Sequence, residues 1–261
     1  MKTRIITAVV ALLLFVPIVL YGNWPFTLLV FAMATVGLHE LLNIKKDVKS
    51  LLPTCISFLA LWAFLCKNIE VFEQWIPLSF MQLLIIFVML LCVLTVTSKN
   101  RISIESIGFY FIATMYITIG FSFLVQAREH GISFILFILF IIWATDSGAY
   151  FVGSSLGKHK LWPSISPNKT IEGAIGGTLI ALLVGIIFHL VHPFEYSLWV
   201  IALISIGIAV VGQLGDLVAS AMKRHFSVKD FGYVLPGHGG IMDRFDSLIF
   251  VLPFLYVVQF I

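Results

Sequence analysis

Apolar residues in this chain do not alternate with polar ones. They come in near-unbroken runs of around twenty, separated by short polar connections. A helix rises about 1.5 Å per residue, so a run of roughly 20 apolar residues matches a hydrocarbon layer about 30 Å thick. The pattern predicts nine spans, over residues 5–22, 26–44, 51–66, 76–97, 102–126, 132–152, 173–191, 197–222 and 241–261. The third is short and the last opens with charge. A membrane β-barrel would need short segments of alternating character, and none is present. The expected fold class is an all-α polytopic membrane protein.

Composition agrees and narrows the choice. Of 261 residues, 60% are hydrophobic and 11% charged, against about 45–50% and about 25% in a soluble domain. A soluble enzyme, a disordered chain and a disulfide scaffold are thereby excluded. Cys55, Cys66 and Cys92 lie within or at the ends of apolar runs without CxxC spacing, so they read as small buried hydrophobes rather than as a disulfide or zinc set.

The net charge of +3 is too mild to imply nucleic acid; where the charges fall says more. With the N-terminus in the cytoplasm and sides alternating, fourteen of the sixteen basic residues fall in cytoplasmic segments, and only Lys67 and Arg128 fall outside. That is a strong positive-inside bias, and it places the C-terminus outside. The first span follows Lys2 and Arg4 and could mimic a signal peptide, but no A-x-A-like site follows it. The expectation is a retained helix.

The two halves differ. Residues 1–130 hold short loops and read as a scaffold with oligomer contacts. Residues 131–261 hold two long polar cytoplasmic segments, 153–172 and 223–246, with acids inside the flanking helices. The chemistry is therefore expected in the second half, facing the cytoplasm. No internal repeat is visible, which argues against an inverted-repeat transporter.

Asp146 and Asp216 interrupt apolar runs, IIWATDSGAYF and VGQLGDLVASAMK. A charge in a membrane span costs about 2.5–3.5 kcal/mol at the bilayer centre, so such residues face protein or water and commonly mark function. On a helix, Ser220 and Lys223 share the face of Asp216, and Arg224 lies at its edge. This polar stripe reads as one wall of a site. Downstream, PGHGGIMDRFD brings Asp243, Arg244 and Asp246 to the start of the last span, the two acids three residues apart on one face. Gly237, Gly239 and Gly240 allow tight turns and can present N–H groups to an anion, with His238 between them. Carboxylates and cations together suit Mg²⁺ carrying a polyphosphate, because that ion is commonly held by one or two carboxylates plus substrate phosphate.

The segment GSSLGKHKLWPSISPNKTIEG adds Ser166, Lys169 and Thr170 as candidate phosphate contacts, with Lys158 and Lys160 read as ordinary membrane-side anchors. It is not a P-loop: the glycines are too close and His159 follows the lysine. Gly173 and Gly177 form a GxxxG, a pattern of helix packing or dimer faces. His39–Glu40 reads as a helix end near the surface.

The stretch SAMKRHFSVKDFGYVLPGHGGIMDRFD, residues 220–246, closely resembles the signature of the phosphatidate cytidylyltransferase (CDP-diacylglycerol synthase) family, including Lys229, Asp230 and Gly232. DSGAYFVG and SPNKTIEG are similar to the same family, which more often has a lysine where this chain has Asn168. The resemblance implies conversion of CTP and phosphatidate to CDP-diacylglycerol and pyrophosphate in phospholipid biosynthesis, in the cell's inner membrane. It implies Mg²⁺, with a second monovalent cation such as K⁺ nearby, a nine-helix fold and a homodimer. The family's metal-binding aspartates map onto Asp216 and Asp243. Phosphate binding is then expected from Lys223, Arg224 and Arg244, with Asp246 beside the metal or holding those cations. The remaining substrate contacts are expected from Ser166, Lys169, Thr170, Ser220, Lys229, His238, Gly239 and Gly240, and Asp146 orders the loops or takes the second cation.

Two alternatives stand beside this reading, the first from the same chemical neighbourhood and the second from a different class. A CTP-dependent kinase of a lipid alcohol would need a base, and no matching signature is apparent. A secondary transporter would need polar residues through to the outer face, but FILFILF and LWVIALISI are apolar apart from one serine.

Overall fold

A computed structural model of the chain describes residues 13, 15–45, 50–67 and 76–261. Much of the first predicted span, with Lys2 and Arg4, lies outside the described residues, as do Lys46 and Lys49. Residues 15–21 are helical. The elements that follow are α1 (Asn23–Asn43), α2 (Leu51–Lys67), α3 (Phe80–Thr97), α4 (Ile104–Glu129), α5 (Ile132–Leu156), β1 (Lys160–Trp162), β2 (Ser166–Thr170), α6 (Ile171–Val191), α7 (Leu198–His225) and α8 (Met242–Val257).

Each of these helices coincides with a predicted span, and the boundaries differ for local reasons. Helix α3 begins at Phe80 rather than 76 because Ser79 caps it. The Ser79 side chain accepts from Gln82 N, and the Gln82 side chain accepts from Ser79 N. This capping box satisfies two donors that a helix start leaves open. Helix α8 stops at Val257, short of the predicted 261. Among the described residues, six helices (α1, α3, α4, α5, α6 and α7) are long and apolar enough to cross a membrane, while α2 is apolar but shorter.

The chain forms two compact units, Met1–Gln126 with Val228–Arg244, and Ala127–Ser227 with Phe245–Ile261. In the first unit Phe26, Leu38, Leu61, Phe64, Phe87 and Phe121 are buried. The Phe64 ring lies 5.0 Å from Phe80 and 6.2 Å from Phe87. The Trp62 indole N–H donates to Thr35 Oγ1 at 3.0 Å, tying α2 to α1.

In the second unit α5 and α6 pack through glycine. A Cβ on Gly177 would stand 2.6 Å from the Thr145 carbonyl oxygen, and one on Gly173 would stand 2.7 Å from that of Ala149. The GxxxG pair is thus consumed by packing within the chain, which answers the choice between intrachain packing and a dimer face for these two residues. Gln213 on α7 donates to Thr178 Oγ1 at 3.2 Å, linking α7 to α6. Phe134, Phe137, Phe188, Phe194 and Phe260 form one aromatic cluster, with centroids 4.9–6.0 Å apart among neighbours such as Phe134–Phe194 and Phe194–Phe260.

Candidate active site

Helix α7 carries the predicted polar stripe intact. Ser220 Oγ donates to Asp216 Oδ1 at 3.3 Å, the contact expected of residues four apart on one face. Lys223 and Arg224 complete the last turn of the helix, where cations also complement the negative end of its dipole.

The polar segment before α6 is an antiparallel hairpin, with Lys160 opposite Thr170 and Trp162 opposite Ser166. Its second strand delivers Lys169 to Asp216: Nζ stands 2.6 Å from Oδ2, with the two side chains 27% and 32% exposed. The hairpin is further anchored by Arg224, whose Nε donates to the Ile165 carbonyl at 3.3 Å. Thr170 is buried, and its hydroxyl accepts from Gly173 N at 3.1 Å as the N-cap of α6. Glu172 accepts from the backbone N–H of Lys158 at 3.1 Å and of His159 at 3.2 Å, closing the hairpin onto the start of α6.

Asp146 on α5 and Asp246 on α8 both lie within electrostatic reach of Asp216 and of each other. Lys169 offsets the charge at Asp146 and Lys223 that at Asp246. Three carboxylates therefore share a field that two lysines partly balance. Asp246 also accepts from Ser247 N at 2.8 Å. Among the described residues, no three His, Cys, Asp or Glu side chains converge tightly enough to enclose a metal by themselves.

The first unit holds the glycine-rich loop. Leu235 accepts from His238 N at 2.8 Å, and Leu235 N donates to the Gly239 carbonyl at 2.9 Å. Pro236 precedes Gly237, whose φ is +79°; proline followed by a left-handed glycine is the signature of a type II turn. The Asp243 carboxylate accepts from Phe231 N at 2.9 Å and Gly240 N at 3.0 Å through Oδ2. His238 Nδ1 is buried without a hydrogen-bond partner among the described residues. Lys229 is exposed at the start of this loop, and Arg244 is exposed in the first turn of α8.

Glu40 departs from the expected helix end near the surface: it is 3% exposed. It accepts from Ile241 N at 3.1 Å and Met242 N at 3.0 Å. The rule that singled out Asp146 and Asp216, an acid inside an apolar run, applied equally to LHELLN. Its position near the end of a run and beside His39 disguised it.

A sequence model of the cytidylyltransferase family matches residues 2–261, and the chain belongs to that family. It is 48% identical over 259 residues to the phosphatidate cytidylyltransferase of Bacillus subtilis strain 168, covering 98% of this chain and 96% of the relative. It is 43% identical over 258 residues to the phosphatidate cytidylyltransferase of Staphylococcus epidermidis strain RP62A, and 42% identical over 260 residues to that of Staphylococcus aureus strain COL. Each of those matches covers 99% of this chain and 98% of the relative.

Proposed function

We propose that this chain transfers the cytidylyl group of CTP to phosphatidate, forming CDP-diacylglycerol and releasing pyrophosphate. The observation that carries this is the full-length match to the cytidylyltransferase family, with relatives named phosphatidate cytidylyltransferase at 42–48% identity. The polar stripe on α7 supplies chemistry of the required kind.

The phosphatidate phosphate is already ionised at neutral pH, so no side chain need act as nucleophile. One of its oxygens attacks the α-phosphorus of CTP; a P–O bond forms there as the bond to the β-phosphate oxygen breaks. Pyrophosphate leaves with that electron pair. The task left to the protein is to hold two anions in line and offset their repulsion. Lys223, Arg224 and Arg244 bind phosphate oxygens, and Lys169, Ser166, Ser220 and Lys229 extend the cationic and hydroxyl lining; Thr170, buried as the N-cap of α6, holds the strand that carries Lys169. The Gly239 amide, with His238, serves the same end, whereas the Gly240 amide is taken by Asp243 and positions that carboxylate instead. Asp246 keeps the neighbouring cations in place.

Mg²⁺, held by Asp216 and Asp243 as the family resemblance suggests, would neutralise charge on the reacting phosphates. Asp146 is the candidate for a second, monovalent cation such as K⁺. The same reading has nine spans, the N-terminus and active site cytoplasmic, the C-terminus outside, and a homodimer in the cell's inner membrane. The positive-inside count supports the orientation.

Pyrophosphate release from CTP by the purified chain, followed with and without phosphatidate, tests the assignment. Release that requires phosphatidate is expected; release independent of it sinks the proposal.

A further inference from the structure

Helix α8 starts without a capping residue of its own. The first N–H groups of any helix lack intrahelical partners, and a Ser, Thr, Asp or Asn just before the helix ordinarily accepts from one of them. Here Ile241 precedes Met242, and its side chain accepts nothing. The acceptor comes instead from α1: the two oxygens of Glu40 take the amides of Ile241 and Met242, 201 and 202 residues away in sequence. An anion at a helix N-terminus is favoured by the dipole as well as by the hydrogen bonds.

Two glycines of the segment, Gly232 and Gly240, have their reason in the same carboxylate. A Cβ on Gly232 or on Gly240 would collide with the Glu40 carboxylate, so both positions leave space for it. Asp243, in electrostatic contact with Glu40, takes the amides of Phe231 and Gly240. Two carboxylates thus hold four backbone amides, at 231, 240, 241 and 242, and so fix where the Asp243 carboxylate points. Helix capping alone would need neither the two glycines nor a second acid on the adjoining amides.

We infer that Glu40 is a positioning residue for the cytidylyl transfer, setting the 231–242 segment so that Asp243 and Arg244 meet their ligands in one orientation. The inference rests on the function proposed above. Glutamine at position 40 keeps the shape but offers one acceptor oxygen and turns an N–H₂ toward the other amide. Aspartate keeps the charge on a shorter stem.

The test uses the full-length purified chain as wild type, Glu40→Gln, Glu40→Asp, Gly240→Ala and the Glu40→Asp/Gly240→Ala double variant. Amide hydrogen exchange is read without metal, and turnover of CTP and phosphatidate is read across Mg²⁺ concentration. In Glu40→Gln, exchange over 231–242 should speed up about tenfold, the loss of about one net hydrogen bond, with other helices unchanged. Turnover number should fall between about 10- and 100-fold, as small misplacements of catalytic groups do, and half-saturating Mg²⁺ should rise. The KM for phosphatidate should stay within about twofold, since uniform binding is not what is lost. Gly240→Ala should behave alike, and the double variant should recover part of its loss because the shorter acid admits the new Cβ. If Glu40→Gln does not fold, Glu40→Asp and Gly240→Ala carry the same comparison.

Unchanged exchange in the segment overturns the inference. Faster exchange with wild-type turnover and Mg²⁺ dependence overturns it too, leaving Glu40 as a cap alone. A wild-type chain that does not turn over CTP and phosphatidate refutes the proposed function instead, which the wild-type arm registers separately.

Discussion

Lys169 Nζ stands 2.6 Å from Asp216 Oδ2, joining the second strand of the hairpin to the polar stripe of α7. Each residue had stood out on its own: the acid for interrupting an apolar run, the lysine for sitting among hydroxyls before a helix start. Their pairing ties the hairpin to the helix face on which the proposed site is built. Because both side chains remain about one-third exposed, the pair contributes little to folding, of order 1 kcal/mol or less. Its weight lies in chemistry.

Lys169→Met should therefore separate stability from activity. The variant should unfold within a few degrees of wild type, since about 1 kcal/mol moves the midpoint only about 2–4 °C in a chain of this size. Cytidylyl transfer should fall at least about tenfold, as loss of a charge-assisted contact to phosphate implies. Thermal unfolding and initial rates on the same preparation decide; wild-type rates would remove Lys169 from the site.

Asp216→Asn removes the charge and keeps the shape. Transfer should fall about 100-fold or more, in the range of a lost transition-state electrostatic contact, and raised Mg²⁺ should recover part of it. A Mg²⁺ titration of the initial rate is the measurement. Retained activity at ordinary Mg²⁺ would contradict the metal assignment.

Gly177→Val tests the close approach of α5 and α6. A Cβ at this position already meets the Thr145 carbonyl at 2.6 Å, and backbone there cannot turn aside like a flexible side chain. The substitution should destabilise by about 1–3 kcal/mol, the usual cost of overpacking. Denaturation in a fixed detergent checks this, and an unchanged midpoint would mean that the helices are not so tightly joined.

The orientation rests on charge and can be read directly. In a chain whose three cysteines are replaced by serine, Asn168→Cys on the exposed hairpin should react with an impermeant thiol reagent only from the cytoplasmic side. Glu195→Cys, in the connection between α6 and α7, should react only from the outside. The reverse pattern would invert the topology.

Much of this architecture was legible because membrane helices announce themselves by run length, which needs no knowledge of partners. The stripe of Asp216, Ser220 and Lys223 was legible for a related reason, since helical periodicity alone puts those side chains on one face. The hairpin was not foreseen: KLW and SPNKT are too short and too irregular to show a period of two, and their pairing depends on the turn between them. Glu40 was missed because its partners lie some two hundred residues away. Local pattern records that an acid is buried at a cost, never which amides repay it. The small residues at 232 and 240 carried the complementary signal, a gap whose filling comes from another helix.

The central claim is the transfer of a cytidylyl group, and the fate of label tests it most directly. The purified chain is supplied with phosphatidate, Mg²⁺ and CTP labelled at either the α- or the γ-phosphorus. The account predicts that α-label enters the lipid as CDP-diacylglycerol while γ-label is recovered only in pyrophosphate, with Asp216→Asn slowing both by about 100-fold or more. Entry of γ-label into lipid, or lipid flux without CTP turnover, would contradict it.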